Sequence, residues 1–228
     1  VRRKLYPNYK LNRRQDMNEY KLESYHTQKS RVKEYIEECF IRQIRVDMNE
    51  SDDLIAHYCK IAPEEKKTIL SADKDLLQLV NENTTIYSPI AKVFYTHGKK
   101  VKIGTYEMPA CNILPYKIIT GDKSDNINGI YYFGEKTLIK YFPEFLDKPV
   151  NINDILIKAK ELLKEDEKNT ALNNLISGKT KDGIYGEEFF QINEKIVDLQ
   201  NPLISDDGKG IVEQYYADTL DPEGRGYK

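Results

Sequence analysis

The sequence predicts an α/β protein with a parallel, doubly wound sheet, followed by a part that is helical throughout. Two observations predict this fold class. Short apolar runs rich in β-branched residues alternate with helical patterns before Pro109. After Pro109 the spacing of the apolar residues is helical to the end of the chain. With 228 residues, 39% of them hydrophobic, the chain is long enough for one large domain or two small ones.

The sequence of residues 1–62 predicts two helices and one strand. Residues 1–14 carry six basic residues and no acids, which is typical of an ordered loop or a short turn. Residues 16–44 contain no proline or glycine and repeat apolar residues at helical spacing, so a long helix is expected there. Residues 44–48 (IRVDM) predict a short strand, and residues 49–62 predict a helix with Asn49 near its cap.

Strands dominate the next segment. Residues 66–72 and 84–90 predict strands, with a short helix at residues 75–80 between them. A further strand is expected at residues 99–104, and residues 91–98 are interpreted as the turn before it. Because the order of elements is βαβαβ, we expect a parallel, doubly wound sheet.

A domain boundary is expected near residue 112. Residues 1–112 would form the α/β domain and residues 113–228 a helical domain. Residues 1–45 carry a net charge of +6, and the remainder carries −8. A basic end joined to an acidic body suggests a polyanionic partner and an acid-rich site, although a solvated helix face explains the charge equally well.

The remaining composition excludes several classes of protein. The three cysteines lie far apart with no CxxC pair, which argues against a disulfide framework or a structural zinc site. No apolar run reaches the roughly 18–20 residues of a membrane helix, and no signal peptide is visible. We therefore expect a protein of a reducing, cytoplasmic compartment that has no membrane partner.

Acidic residues follow the predicted strands, at the sheet edge where functional groups gather in parallel α/β folds. Asp73 and Asp75 lie two apart in ILSADKDLLQLV, so on extended backbone they project to the same side. The full set of seven carboxylates is Glu50, Asp52, Asp53, Asp73, Asp75, Asp122 and Asp125. If they converge, two hard divalent ions such as Mg²⁺ would neutralise them and support phosphodiester hydrolysis. The alternative for each acid taken singly is an ordinary place in the first turn of a helix.

Four stretches of the chain, in this order, resemble the 5′–3′ exonuclease and flap endonuclease family, and within it the bacteriophage branch that includes the phage ribonucleases H. They are YPNYKLNR (6–13), NESDDLIAHY (49–58), ILSADKDLLQLV (69–80) and ITGDKSDNINGIYYFGEKTLIKYF (118–141). The resemblance covers nearly the whole chain and implies a PIN-like α/β fold. It also implies two Mg²⁺ ions, for which Mn²⁺ can substitute, bound by the seven carboxylates.

The resemblance further implies roles for the basic residues near the start of the chain. Lys10 and Arg13 correspond to the pair that steers the scissile phosphate, and Arg3 is a further candidate for a phosphate contact. A basic helical arch at about residues 16–44 would admit a single-stranded 5′ end.

Residues 118–141 resemble the helix–three-turn–helix of the family, whose backbone amides bind the phosphates of duplex DNA. Gly129, Gly134 and Lys136 fit that role. Tyr132 stands where the family has glycine, and a tyrosine takes a positive φ with difficulty. We therefore expect another loop shape there, which argues against the potassium ion that the family binds at this loop.

The resemblance also implies two strand-borne aspartates before the basic segment, and the sequence contains neither. Three interpretations follow. The chain is the C-terminal part of a truncated record, one half of a split nuclease with an N-terminal fragment as partner, or an inactive remnant that still binds DNA. The first two interpretations predict that the nuclease is active once the N-terminal segment is supplied.

Together these expectations predict a metal-dependent, structure-specific 5′ nuclease that acts on DNA carrying a 5′ flap, a fork or an RNA primer. A polymerase clamp or a single-strand-binding protein would fit the family as a partner, and the cytoplasm of a phage-infected cell fits as the setting. The rival prediction is a DNA-binding module without catalysis, and a ribonuclease with a related small α/β fold is a weaker rival.

Overall fold

The computed structural model describes residues 2–14, 19–181, 183 and 186–220. The helices are α1 (Arg2–Leu5), α2 (Glu19–Glu38), α3 (Ser51–Ile61), α4 (Ile113–Thr120), α5 (Glu135–Tyr141), α6 (Ile152–Glu165), α7 (Thr170–Ser177), α8 (Glu187–Val197) and α9 (Asp206–Leu220). The strands are β1 (Lys67–Leu70), β2 (Thr84–Ser88), β3 (Val93–Tyr95), β4 (Lys100–Ile103) and β5 (Tyr106–Pro109). Short 3₁₀ turns occupy Leu11–Arg14, Asp75–Leu79, Ala110–Asn112 and Pro143–Leu146.

The central sheet of the described residues has three strands in the order β1-β2-β3. β1 and β2 run parallel, with Lys67 opposite Thr84 and Leu70 opposite Tyr87. β3 pairs with β2 in the antiparallel direction because only a four-residue turn joins them, which is too short for a parallel crossover. The α/β fold class is confirmed, but the sheet is mixed and not wholly parallel.

Several predicted elements differ from the structure. Residues 44–48 form no strand, because no other described strand pairs with them. Residues 91–98, expected as a turn, contain β3. The second strand of the β4-β5 hairpin was not predicted, since YEMP is a short run, whereas α8 falls within the part that was predicted to be helical to the end of the chain. The predicted helix at residues 49–62 and the strands beginning at residues 66 and 84 are present, shortened by no more than two residues at either end.

The expected arch contains α2, which spans twenty residues. Residues 15–18, at the front of the predicted range, lie outside the described residues. The helix carries four Lys or Arg residues against five Glu residues, so the description of a basic arch is wrong for α2. The positive charge of this end of the chain comes instead from residues 1–14.

One hydrophobic core runs through the sheet and the helices that follow it. Ile86 of β2 and Leu76 belong to the same buried cluster as Ile118, Leu138 and Phe142. The cluster therefore crosses residue 112, and the predicted division into two domains there stays a prediction. None of the described helices is long and apolar enough to cross a membrane.

A candidate metal centre

The first turn of α3 places Asp52 and Asp53, which are neighbours in the sequence, on different sides of the helix. Glu50 is the N-cap residue in an extended conformation (φ −87°, ψ 146°), and Asp52 follows in the first turn. Both side chains line an open cleft of about 650 Å³. Asp53 is rotated about 100° further round the helix and points into the protein, where it is 0% exposed.

Asp53 is held by partners of its own, although one of them, Arg2, also lies 3.9 Å (Nη1) from Oε2 of the cleft residue Glu50. The Arg2 guanidinium donates to both carboxylate oxygens, with Nη2 2.9 Å from Oδ1. The backbone N–H of Leu203 donates to Oδ1 at 3.0 Å, and Arg2 Nε donates to the carbonyl of Ile196 at 2.9 Å. Asp53 thus joins the start of the chain to its last third. The structure does not bring it together with the other six carboxylates.

The second pair of acids follows β1 directly, as the sequence predicts. The Asp75 N–H donates to Asp73 Oδ1 at 2.9 Å, and the Asp73 N–H donates to Ser71 Oγ at 3.0 Å. These local bonds turn the chain sharply at the end of the strand and start the 3₁₀ turn at Asp75. Both carboxylates line the cleft.

The third pair lies in the loop after α4. Asp122 and Ile127 form an isolated antiparallel bridge, which closes the loop and directs Asp122 and Asp125 into the cleft. The loop requires glycine at Gly121, whose φ is +73° and where a Cβ would lie 2.4 Å from the nitrogen of Gly129. A side chain at either glycine would push the two loop strands apart.

Six of the seven predicted carboxylates therefore line one cleft. They are Glu50, Asp52, Asp73, Asp75, Asp122 and Asp125. The tightest group is Asp75, Asp122 and Asp125, whose carboxylate oxygens can all lie within 4.8 Å of one another. A set made only of carboxylate oxygens fits a hard divalent cation and does not fit a soft one.

Two lysines contact these acids. Lys117 Nζ donates to Asp75 Oδ1 and, at 2.6 Å, to Asp122 Oδ2. Lys10 Nζ donates to Glu50 Oε2 at 2.6 Å and lies 3.7 Å from Asp125 Oδ2. Sequence reasoning missed Lys117. The signal that could have found it is its place in the last turn of α4, five residues before Asp122.

Tyr9 is a second residue that sequence reasoning missed. Its buried hydroxyl lies 3.0 Å from Glu50 Oε2 and 3.1 Å from Asp125 Oδ2, and donates to this pair. Burial and the charge of Asp125 both raise the pKa of Tyr9, so the hydroxyl keeps its proton and remains a donor. Tyr9 thus joins an acid of α3 to an acid of the loop after α4.

The pKa values within the cleft move in opposite directions. Burial, and then the negative charge of Asp73, raise the pKa of Asp52 to about 6. Burial also raises the pKa of Asp75, and the nearby Lys117 only partly offsets it. For Glu50, burial works against ionisation, but the hydrogen bond and charge of Lys10 outweigh it and lower the pKa. Asp52 and Asp75 are therefore the carboxylates that gain most from an added cation.

The residues expected to contact DNA lie elsewhere. Arg3 Nε donates to the carbonyl of Tyr9 at 3.2 Å, which leaves the rest of its guanidinium exposed. Gly134 is the N-cap of α5, and Lys136 is exposed on that helix. The side chain of Arg13 lies outside the described residues. The structure does not bring Gly129, Gly134 or Lys136 into the acidic cleft.

Tyr132 differs from the expectation. Its φ is +61°, so the tyrosine adopts the left-handed conformation that glycine would take. The tyrosine thus adopts the positive φ that was expected to be difficult for it, so a different loop shape does not follow from this residue.

An α/β fold with a carboxylate-lined cleft beyond β1 defines a PIN-like nuclease fold. Residues 1–107 match the family model described as the 5′-3′ exonuclease, N-terminal resolvase-like domain. Residues 1–107 thus correspond to a 5′-3′ exonuclease N-terminal domain, and the chain is similar over part of its length to bacterial exonucleases and to the matching part of bacterial DNA polymerases I.

Two curated relatives illustrate the homology. The "5′-3′ exonuclease" of Aquifex aeolicus is 31% identical over 146 residues, which cover 63% of this chain and 48% of the relative. The "DNA polymerase I" of Streptococcus pneumoniae R6 is 31% identical over 147 residues, 63% of this chain and 16% of the polymerase. The matched region thus spans half or less of the length of these relatives.

Solved structures show the same fold over almost all of this chain. The T5 5′-exonuclease with bound zinc ions has a TM-score of 0.73 at 20% identity, covering 96% of this chain and 80% of the T5 chain. A bacteriophage T5 flap endonuclease in complex with DNA and metal ions has a TM-score of 0.70 at 21% identity, covering 96% and 78%. At these identities the likeness establishes the fold, and membership of the phage branch stays a prediction.

Proposed function

We propose that the protein is a divalent-metal-dependent, structure-specific 5′ nuclease that hydrolyses phosphodiesters in DNA replication intermediates. One observation carries the proposal. Six carboxylates from three separate segments face one cleft, which the described residues line with four lysines, and of these Lys10 and Lys117 pair with the acids. The carboxylates remain in excess, and divalent cations would relieve the repulsion between them.

The donor set favours Mg²⁺, with Mn²⁺ as a substitute. Asp75, Asp122 and Asp125 would hold one ion, and Glu50 and Asp52 would contribute to the other. When bound, the ions would activate water and stabilise charge on the phosphate. Asp53 is left out of this proposal because its oxygens are occupied by Arg2 and Leu203.

The other residues of the cleft hold the acids in position or neutralise negative charge on the acids and on the substrate. Lys10 lies at the rim, where its ammonium can turn from Glu50 to a phosphate oxygen of the substrate. Arg13 is proposed as its partner on the same phosphate. Lys117 holds Asp75 and Asp122 together while no cation is present, and Tyr9 fixes Glu50 relative to Asp125. These contacts preorganise the acids before substrate binds.

The substrate is proposed to be DNA with a 5′ flap, a fork or an RNA primer, within a cytoplasmic replication or repair process. The fold shared with the T5 flap endonuclease, which was solved with DNA, supports DNA as the substrate class. In this proposal Gly129, Gly134, Lys136 and Arg3 contact the phosphates of the duplex. The polymerase clamp and the single-strand-binding protein stay predictions, and so does the expectation that Tyr132 disfavours the potassium ion of the family.

A second candidate is that the chain binds DNA but requires a further polypeptide segment for cleavage. One observation favours it. Among the described strands β1 pairs only with β2, and its last residue, Leu70, is 70% exposed. An edge strand with an exposed apolar residue is able to accept another strand. In that case an N-terminal fragment would be the partner.

A cleavage assay on a labelled 5′-flap DNA with Mg²⁺ tests the proposal. We expect Asp75→Asn to reduce the cleavage rate at least about a hundred-fold, since a metal ligand is lost. Binding in EDTA should stay within a few-fold of the unaltered chain. Asp147→Asn is the matched control, because Asp147 pairs with Lys100 outside the cleft. Full activity of Asp75→Asn would remove this residue from the metal site.

The same assay separates the two candidates. Binding of flap DNA without cleavage in either Mg²⁺ or Mn²⁺ would favour the second candidate, and activity restored by an added N-terminal fragment would establish it. Lys10→Ala should slow cleavage more than it weakens binding, because its ammonium acts on the scissile phosphate. Equal losses would mark Lys10 as a docking contact.

A further inference from the structure

Two consecutive tyrosines form a stacked pair in the loop between α4 and α5. The ring centroids of Tyr131 and Tyr132 lie 4.0 Å apart, with 28° between the ring planes. The Tyr131 hydroxyl donates to the Tyr132 hydroxyl at 3.1 Å. Tyr132 is 65% exposed, so the pair presents an aromatic ring to the outside of the protein.

The backbone at Tyr132 is held in a conformation that a bulky residue seldom adopts. Its φ of +61° would suit glycine, and the ring obtains no buried packing in exchange. The neighbouring backbone keeps this shape. The Tyr131 N–H donates to the Lys179 carbonyl at 2.8 Å, and Asn174 Nδ2 donates to the Tyr131 carbonyl at 2.9 Å. The strained backbone at this position presents a side chain to the outside and contributes nothing to core packing. Such strain points to a binding role.

A cation close to the pair in sequence is available to an anionic ligand, and the neighbouring acid is turned toward another residue. The carboxylate of Glu135 is occupied by Thr105, whose N–H and hydroxyl donate to it at 2.8 and 3.0 Å. Lys136 is exposed and makes no ion pair with any other residue that the structure describes. An exposed aromatic ring close in sequence to a free lysine is the combination that binds nucleic acid, with the ring on a base and the cation on a phosphate.

We propose that Tyr132, supported from behind by Tyr131, is a stacking site for one unpaired nucleobase of the DNA. Bases within a duplex have both faces covered by their neighbours, so only an unpaired base offers its face to a ring. The site would therefore distinguish gapped or single-stranded regions from a continuous duplex. This inference rests on the proposed function, since it assumes that DNA is the ligand.

The test compares two labelled oligonucleotides of equal length, one fully paired and one with a three-nucleotide gap. The full 228-residue chain is titrated against each in EDTA, so that no cleavage occurs. We expect Tyr132→Gly to weaken binding of the gapped DNA by about five-fold or more and to leave the paired DNA within about two-fold. Tyr132→Phe should retain most of the affinity, because the ring face remains.

Salt dependence separates stacking from charge. Tyr132→Gly should leave the slope of log K against log salt unchanged, because no ion pair with phosphate is lost. Lys136→Ala should weaken both DNAs and reduce that slope by about 0.9. Met48→Gly is the matched control, since Met48 is an exposed apolar residue with a φ of +63°. The Met48→Gly substitution removes the same kind of backbone strain and leaves the proposed stacking site intact.

The folding of Tyr132→Gly can be checked by its thermal unfolding midpoint, which should equal or exceed that of the unaltered chain because glycine suits the positive φ. Equal loss on the two DNAs, or no loss on either, would overturn the stacking site while leaving the nuclease proposal intact. If the unaltered chain neither binds nor cleaves DNA, both proposals fail together.

Discussion

Asp52 and Asp53 are neighbours in the sequence and have opposite environments in the structure. Asp53 is fully buried and its carboxylate is occupied by Arg2 and Leu203. Asp52 is partly exposed in the cleft, and within the described residues no ion pair reaches it. The difference shows that the carboxylates of one motif can have different roles. One of them stabilises the fold, and the others remain available for a ligand.

The two environments also differ in what their cations do. Arg2 is buried with Asp53 and is 6% exposed, so neither charge can be released into water without local unfolding. Lys117 and Lys10 line the cleft and pair with acids that are partly exposed. A divalent ion can replace them there, because each ammonium can then move into water or onto a phosphate.

The largest effect is expected at the buried pair. Asp53→Asn removes the hydrogen-bonded counter-charge of the buried Arg2 and leaves only the longer contact with Glu50, 3.9 Å from Nη1, so we expect a loss of about 3–5 kcal/mol in the free energy of unfolding. Urea denaturation monitored by circular dichroism measures it. Asp52→Asn is the matched control and should change stability far less. A loss below about 1 kcal/mol for Asp53→Asn would contradict the distinction between the two neighbours.

A smaller effect is expected in the cleft. Lys117→Met removes the ammonium that Asp75 and Asp122 share, so in EDTA we expect a loss of about 1–3 kcal/mol. Saturating Mg²⁺ should restore a large part of it, since the metal replaces the lost cation. Thermal unfolding with and without Mg²⁺ measures the rescue. Mg²⁺ should not rescue Asp53→Asn, and a rescue there would mean that Asp53 also contacts the metal.

The smallest effect is the pH dependence that Asp52 confers. Its pKa is raised from 3.8 to about 6 in the folded protein, so the folded state binds this proton more tightly than the unfolded state does. The resulting stability is present below pH about 3.8 and is lost as the pH rises through about 6. In EDTA Asp52→Asn, which resembles the protonated acid, should therefore match the unaltered chain near pH 4 and become the more stable of the two as the pH rises to 7. Melting curves across this range test the sign, and an unaltered chain that gains stability over Asp52→Asn as the pH rises would reverse it.

The prediction of the fold succeeded where the signal was local. The strands β1 and β2 and the helix α3 follow from apolar spacing and from the acids at the start of the helix, all within a few residues of one another. The prediction failed at β3 and β5, which are short and depend on pairing with a neighbouring strand. It also failed at residues 44–48, where the apolar run finds no partner among the described strands.

By itself the sequence determined that three acidic segments exist, and that one lies at the start of a helix, one after a strand and one after an apolar helix. Which carboxylates share the cleft was decided only by the tertiary structure. Arg2 lies 51 residues from Asp53, and Lys117 lies 42 residues from Asp75. No local pattern encodes such pairings, because they form only when packing of the core brings distant side chains together and removes water from between them.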